Sequence, residues 1–176
     1  MSTSSLEDIP GGQRIFLDAT IFIYHFFSRS AQCRRLLERC ERREVFGVTS
    51  VVAFNEATHR LMMMEAVHSG LVSPGGVPRK LRRRPDLVRT LHDYLWQVES
   101  IPTWGIEVLP VDLGRCVRAG GIRAASGLVT NDSIIVATMH DEHLAAIATA
   151  DADFERVEGL QVFRPSDLGP AAPALA

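Results

Sequence analysis

The chain has 176 residues, of which 46% are hydrophobic and 23% are charged, and its formal net charge at pH 7 is -2. This length and balance are typical of one globular domain and exclude a disordered or collagen-like chain. The nearly neutral charge gives no overall attraction to nucleic acid, so any affinity for a polyanion must come from a local cluster of basic residues.

The cysteines and the N-terminus indicate the compartment. Cys33, Cys40 and Cys116 lack Cys-x-x-Cys spacing, which argues against a disulfide framework or a zinc knuckle. The first residues lack the basic and apolar regions of a signal peptide. No apolar run approaches the roughly 20 residues that a membrane span needs. We therefore expect a soluble protein of the reducing cytoplasm without a membrane partner.

Apolar runs alternate with helical patterns along the chain. The first twelve residues are polar and end in Pro-Gly-Gly, and residues 169–176 are rich in Pro and Ala, so residues 1–13 and 169–176 are predicted to be flexible tails. Residues 14–168 are predicted to form one domain. Its predicted elements, in chain order, are a strand near 14–18, a helix near 29–43, a strand near 45–49, helices near 51–68 and 86–99, a strand near 105–109, helices near 112–125 and 132–142, and strands near 145–149 and 161–163. Such alternation predicts a three-layer α/β/α fold with a mainly parallel central sheet.

Four acidic residues stand where predicted strands end or predicted helices begin. Asp18 and Asp151 each end an apolar strand. Glu56 lies about one turn into a helix, and Asp132 lies in the first turn of another. Each acid alone is more simply explained as a helix cap or an exposed acid. Ligands of parallel sheets, however, bind outside the carboxyl ends of the strands, so acids from distant segments can converge there and hold a hard divalent cation.

The order of these acids and the residues around them resemble the PIN domain, and most nearly the VapC-like toxin ribonucleases of toxin–antitoxin pairs. The resemblance covers roughly residues 14 to 165. This chain differs from the family pattern in having Ala19 directly after the first acid, where the family commonly has a hydroxyl, and in a longer region between about 70 and 100. The matching segments are Phe16-Leu17-Asp18-Ala19-Thr20, Ser50-Val51-Val52-Ala53-Phe54-Asn55-Glu56, Asn131-Asp132-Ser133-Ile134-Ile135-Val136-Ala137-Thr138 and Thr149-Ala150-Asp151-Ala152-Asp153-Phe154.

The resemblance implies a PIN-like endoribonuclease that hydrolyses RNA phosphodiester bonds with Mg²⁺ or Mn²⁺ and acts as the toxin of a type II toxin–antitoxin system. It also implies a homodimer and a cognate antitoxin protein. The residue chemistry agrees, because Mg²⁺ prefers oxygen ligands and is anchored by a few carboxylates. The expected catalytic and metal-binding residues are Asp18, Asp132, Asp151 and Glu56, and the residues expected to support them are Thr149, Asp153 and Thr20.

One strong block of basic residues follows a segment rich in proline and glycine, residues 73–78, and precedes Pro85. These flanks predict an exposed loop. The block is predicted to contact the RNA backbone, but a solvated linker or a site for an acidic protein partner fits it as well. Its residues are Arg79, Lys80, Arg82, Arg83 and Arg84.

Two other functions are consistent with the same residues. The first is a PIN-like module that binds RNA or protein without cleaving, which the altered motif after Asp18 would permit. The second is a phosphotransferase with Asp18 as the nucleophile, although Thr20 stands where an Asp-x-Asp arrangement would place its second acid. The run Met62-Met63-Met64 is predicted to pack against a neighbouring helix or subunit rather than to recognise a ligand.

Overall fold

The computed structural model describes residues 4–169, and their strands form one six-stranded sheet. The order across the sheet is β1-β6-β5-β2-β3-β4, and every neighbouring pair is parallel. The predicted α/β fold with a mainly parallel sheet is therefore confirmed. The strands are β1 (Ser4–Ser5), β2 (Arg14–Leu17), β3 (Phe46–Ser50), β4 (Glu107–Leu109), β5 (Ala146–Ala148) and β6 (Gln161–Arg164).

Helices connect the strands and cover both faces of the sheet. Between residues 4 and 169, no helix is long and apolar enough to span a bilayer. The α-helices are α1 (Ala19–Phe26), α2 (Ala31–Glu41), α3 (Val51–His68), α4 (Val77–Arg82), α5 (Pro85–Val88), α6 (Asp93–Ser100), α7 (Leu113–Ser126) and α8 (Thr130–Asp141). The predicted elements did not include α1, which lies between the strand predicted near 14–18 and the helix predicted near 29–43.

The alternation of side chains along β2 explains the two core layers. Ile15 and Leu17 point to one face, where they pack in a cluster with residues of α1 and α2. Phe16 points to the other face and packs with Ile135 and Val136 of α8. Because successive strand residues face opposite sides of a sheet, this apolar run is buried on both sides. The third layer that the sequence predicted is present.

The N-terminal tail predicted over residues 1–13 is wrong for residues 4–13, while residues 1–3 lie outside the described part. β1 pairs with β6 at the edge of the sheet, and Leu6 and Ile9 are both only 2% exposed. The guanidinium of Arg39 donates a hydrogen bond to the carbonyl of Ile9. Burial of these two side chains against α2 outweighs the polar composition of the segment. The C-terminal tail predicted over 169–176 lies outside the described residues except for Gly169.

The loop predicted for the basic block is also wrong, because α4 and α5 occupy that region. Val77 and Leu81 of α4 are buried in a satellite cluster with Ala66 of α3 and with Leu91. Pro78 lies in the first turn of α4, where a missing backbone N–H costs nothing. Apolar residues four positions apart therefore anchor a helix in a segment whose flanks suggested a loop.

The helix predicted near 86–99 is divided into α5 and α6. The carboxylate of Glu65, only 9% exposed, accepts hydrogen bonds from the backbone N–H groups of His92, Asp93 and Tyr94 at 2.9, 3.2 and 2.9 Å. These groups are the free donors at the start of α6, so Glu65 of α3 caps that helix from a distance. The cap fixes the start of α6 at Asp93 and ties the region after the basic block to the domain.

Candidate metal centre

Two of the predicted acids follow adjacent central strands. β2 and β5 are hydrogen-bonded neighbours, with Leu17 opposite Ala148. From β2 the chain crosses to β3 on one side, whereas β6 follows β5 on the other side, so the sheet reverses its winding between β2 and β5. Asp18 directly follows β2, and Asp151 stands three residues after β5. The acids thus occupy the crevice where doubly wound sheets bind their ligands.

Asp18 is buried, 5% exposed, and is held by hydroxyl groups. Its Oδ2 accepts hydrogen bonds from Thr20 Oγ1 at 2.7 Å, from Thr149 Oγ1 at 2.8 Å and from the backbone N–H of Thr20 at 3.3 Å. Thr20 therefore supplies a hydroxyl to Asp18 although Ala19 carries none. These three donors all converge on Oδ2, and within residues 4–169 no side chain donates a hydrogen bond to Oδ1.

Thr149 links the two strand-ending acids. Its hydroxyl group donates a hydrogen bond to Asp18, and the oxygen of that group accepts one from the backbone N–H of Asp151 at 3.0 Å. The hydroxyl of Thr20 accepts from the backbone N–H of Ala150, also at 3.0 Å. Thr149 is fully buried. These contacts fix the turn that carries Asp151 relative to Asp18, and the supporting role of both threonines at a metal site stays a prediction.

Glu56 and Asp132 complete the acidic cleft, which we define by the four carboxylates Asp18, Glu56, Asp132 and Asp151. Glu56, Asp132 and Asp151 line the same open depression. Asp132 lies in the first turn of α8, where free backbone N–H groups favour an anion. Glu56 lies on α3, and its Oε1 is 3.8 Å from Nη2 of Arg60 on the next turn. Asp18 lies close enough for its charge to act on Glu56 and Asp132, so acids from four separate segments border one region of the structure.

The charges of the acidic cleft perturb one another. Burial raises the pKa of Asp132 to about 7, and the neighbouring charges of Asp18 and Asp151 add to the effect. Burial raises the pKa of Asp18, although the hydrogen bonds from Thr20 oppose it. Burial and the charge of Asp18 also raise the pKa of Glu56. Crowded carboxylates hold protons more tightly because each anion repels the next. A bound cation would remove this repulsion.

The donor set of the acidic cleft fits Mg²⁺ or Mn²⁺. All four side chains offer carboxylate oxygens, the ligands that these hard ions prefer. Between residues 4 and 169, no three of them have ligand oxygens within 4.8 Å of one another. Such an open set suits an ion that keeps several of its own waters and takes only one or two carboxylates directly. Asp18 Oδ1 and the Asp132 and Asp151 carboxylates would hold it, with Glu56 acting directly or through water.

A second acidic cluster, formed by Glu65, His92 and Asp93, is a helix cap rather than a metal centre. Its ligand atoms do lie within 4.8 Å of one another. The Glu65 carboxylate, however, already accepts three backbone hydrogen bonds at the start of α6. His92 and Asp93 are exposed. The cluster is therefore explained by the capping of α6.

Neither Asp153 nor any residue of the basic block lines the depression of the acidic cleft. Asp153 points to Arg156, with 2.7 Å between Oδ1 and Nη2, and contributes only a weak repulsion to Asp132. In the basic block, Nζ of Lys80 donates to Ser73 and to the carbonyl of Pro74, and Arg84 pairs with Asp86. For the described part of the chain, the structure gives no ion pair to the other three residues of the block, Arg79, Arg82 and Arg83.

The sequence interpretation missed two residues that line the acidic cleft, Arg60 and Asn131. Arg60 stands four positions after Glu56, the spacing that places two side chains on one face of a helix, so the periodicity of α3 could have identified it. Asn131 directly precedes Asp132, and its hydrogen bond lowers the pKa of Glu56. Both residues therefore contact Glu56.

Replacing Thr149 with Val tests how far the hydroxyl bridge supports metal binding. The change keeps the side-chain shape but removes the donor to Asp18 and leaves the N–H of Asp151 without its acceptor. We expect a stability loss of about 1–3 kcal/mol and a fall in Mn²⁺ affinity of about 10–100-fold, measured by thermal melting and calorimetric titration. Thr138→Val is the matched control, because Thr138 is equally buried and its hydroxyl bonds only to Ile134 of α8. Equal Mn²⁺ affinities of the two variants would contradict the role of Thr149.

Comparisons with known proteins agree with this geometry. The model of the PIN domain family matches residues 15–160. The chain is 21% identical over 150 residues to Ribonuclease VapC2 of Methanocaldococcus jannaschii, covering 85% of this chain and 92% of that protein. Its fold is similar to that in the crystal structure of VapBC2 from Rickettsia felis bound to a DNA fragment from their promoter, with a TM-score of 0.55, 13% identity, and coverage of 86% and 98% of the two chains. Since the family model spans most of the chain and its acids meet in one cleft, the chain belongs to the PIN domain family.

Proposed function

We propose that the protein is a metal-dependent endoribonuclease that hydrolyses RNA phosphodiester bonds and serves as the toxin of a type II toxin–antitoxin system. The observation that carries the proposal is the acidic cleft, in which Glu56, Asp132 and Asp151 line one depression and the charge of Asp18 raises the pKa of Asp132 and of Glu56. The similarity to Ribonuclease VapC2 supports RNA as the substrate. The fold is similar to that of the VapBC2 structure, which supports the arrangement of strands and helices that positions these acids.

The residues of the acidic cleft have distinct parts in such a reaction. When bound, Mg²⁺ or Mn²⁺ supplies a Lewis acid for the phosphate and lowers the pKa of a coordinated water. Asp18, fixed by Thr20 and Thr149, would hold the ion through Oδ1. Asp132, at the start of α8, and Asp151, after the end of β5, would hold the same ion. Arg60 restrains Glu56 and places a positive charge at the margin of the cleft, where a substrate phosphate would pass.

Incubation of the wild-type protein with RNA in Mn²⁺ and in EDTA tests the proposal directly. We expect cleavage in Mn²⁺ and intact RNA in EDTA. RNA that stays intact in millimolar Mn²⁺ but still binds would favour the alternative, a PIN-like module that binds RNA or protein without cleaving it.

The basic block extends the proposed RNA path beyond the acidic cleft. Arg79, Arg82 and Arg83 are exposed on α4 and directly after it. Because guanidinium groups without a carboxylate partner are free to neutralise phosphates, we propose that these three residues contact the RNA backbone. Lys80 and Arg84, which the sequence also predicted to bind RNA, are engaged with Ser73 and Asp86 and are proposed to shape the segment.

Changing Arg79, Arg82 and Arg83 to Ala together should weaken RNA binding and its dependence on salt. On single strands the slope of log affinity against log salt is about 0.7 per phosphate contact, so we expect the slope to fall by about 2. Fluorescence anisotropy at several salt concentrations measures it. The triple variant Arg35, Arg42 and Arg118 to Ala removes the same charge from exposed arginines that are paired with carboxylates, and its slope should stay near that of the wild type. Equal slopes for the two triple variants would exclude the contact.

The proposed toxin would act in the cytoplasm, form a homodimer and bind a cognate antitoxin. The buried, unpaired Cys33 and Cys40 support a reducing compartment. Exposed apolar side chains at Leu113, Val117 and Trp96 offer surface for protein contacts. Light scattering after size-exclusion chromatography reports the dimer, and co-purification with the product of the adjacent reading frame reports the antitoxin.

A further inference from the structure

A pocket of about 600 Å³ lies beside the acidic cleft, between α3 and the segment of residues 74–78 that leads into α4. We call it the α3 pocket and define it by Phe27, Arg29, Arg60, Met63 and Val67, with Pro78 closing its outer side. Its volume is within the range of small-molecule sites, about 300–1,000 Å³. We propose that the α3 pocket receives one unpaired base of the RNA strand whose neighbouring phosphate lies in the acidic cleft, which rests on the function proposed above.

One face of α3 joins the α3 pocket to the acidic cleft. Glu56, Arg60, Met63 and Val67 follow one another at intervals of three or four residues, the spacing of neighbours on a single helix face. Arg60 lines both the acidic cleft and the α3 pocket. The rise of 1.5 Å per residue places Met63 about 10 Å along the helix from Glu56. A strand that passes Arg60 on leaving the acidic cleft therefore reaches the α3 pocket next.

The chemistry of the α3 pocket matches a base with flanking phosphates. Its walls are apolar and polarisable, with Met63, Met64 and the ring of Phe27, which suit stacking on the face of a base. Arg29 and Arg60 bring permanent positive charge, and the lining contains no acid. RNA-binding proteins read single strands by splaying bases out onto such apolar surfaces. An anionic strand is thus the occupant that the charge of the lining favours.

The far side of the α3 pocket leads to the basic block. Gly76, Val77 and Pro78 at the start of α4 form part of its lining, and Arg79 follows directly. Arg82 and Arg83 continue the exposed positive surface. The acidic cleft, the α3 pocket and the basic block therefore follow one another in space along α3 and α4. This arrangement also gives the segment of residues 74–78 a role, because it forms one wall of the base site.

Binding of labelled ten-nucleotide homopolymers and of an abasic sugar-phosphate strand of equal length tests the proposal. The Asp132→Asn background prevents cleavage during the measurement. We expect the tightest homopolymer to bind about 10-fold more tightly than the abasic strand, the effect of one stacked base. Met63→Trp, which fills the α3 pocket, should reduce that ratio to about 2-fold or less without changing the affinity for the abasic strand. Arg29→Ala should weaken both strands equally, because it removes a phosphate contact.

Two further variants keep the test decisive. His59→Trp fills the α3 pocket from an exposed position on its rim, so it gives the same reading without disturbing the core. Leu113→Trp adds an indole at an exposed site of α7 that does not line the α3 pocket, so it should leave the ratio unchanged. A ratio that Met63→Trp and His59→Trp leave intact would overturn the base site and assign the pocket to another occupant. Cleavage by the wild type in Mn²⁺ is scored separately, so a failed base site and a failed nuclease are told apart.

Discussion

Asp132→Asn should reduce Mn²⁺-dependent RNA cleavage by about 10²–10⁴-fold while the protein remains folded. The substitution keeps the shape of the side chain but removes one of the negative charges that would hold the ion. Lewis-acid stabilisation of a phosphoryl transition state is worth several kcal/mol, and each 1.4 kcal/mol is about ten-fold in rate. Asp18→Asn should have an effect of similar size, because Oδ1 of Asp18 is a proposed ligand. Initial rates of cleavage of a fluorescent RNA measure both.

Asp153→Asn is the matched control for this prediction. It is the same change at a nearby acid, but the Asp153 carboxylate is engaged with Arg156 rather than with the other acids of the cleft. We expect a loss of less than about 10-fold, the lower range for a residue that acts through its neighbours. A loss at Asp153 as large as that at Asp132 would contradict the assignment of the ligands.

The metal-free protein should become less stable as the pH rises from about 4 to about 7. The pKa of Asp132 is about 7 in the folded protein and has the ordinary value of 3.8 when the chain unfolds. Between these values the folded state binds more protons than the unfolded state, so the free energy of unfolding decreases with increasing pH. One pKa unit is worth about 1.4 kcal/mol, and solvent screening at this half-buried carboxyl leaves an expected loss of about 2 kcal/mol.

Comparing Asp132→Asn with the wild type isolates this contribution. Above pH 7 the variant lacks the repelling charge and should unfold about 4–8 °C higher than the metal-free wild type, a shift that about 2 kcal/mol produces in a domain of this size. At pH 4.5 the two melting temperatures should nearly coincide. Millimolar Mn²⁺ should raise the melting temperature of the wild type at pH 7.5 and raise that of the variant much less. A difference between the two proteins that does not change with pH would contradict the mutual repulsion of these acids.

The parts of the fold that follow from local patterns were predicted, and the parts that depend on distant contacts were not. The apolar run before Asp18 and the one before Asp151 have strand-like composition, so β2 and β5 were recognisable. β1 has no such signal, because two serines become a strand only by pairing with β6 at the other end of the chain. α4 was missed for a similar reason, since its stability comes from Val77 and Leu81 packing against α3. The periodicity of a segment does not show which distant element it will pack against, here β6 for β1 and α3 for α4.

Most of the acidic cleft was predictable because Asp18, Asp132 and Asp151 each occupy a position with a local signature, near the end of a strand or in the first turn of a helix. The parallel sheet then brings Asp18 and Asp151 together, as the general rule for doubly wound folds requires. The α3 pocket was not predictable, because it exists only where residues 74–78 fold over α3. Met63 was predicted to pack, and it does pack against the satellite cluster of α3 and α4, but it also lines this pocket.

A crystal of the wild-type protein grown with Mn²⁺ tests the central claim, that the four acids of the cleft share a divalent cation. We expect an anomalous peak in the acidic cleft, with oxygens of Asp18, Asp132 and Asp151 bound directly or through water and direct ligands at about 2.1 Å. Density only beside Glu65, His92 and Asp93, or no peak in the acidic cleft at saturating Mn²⁺, would contradict the claim.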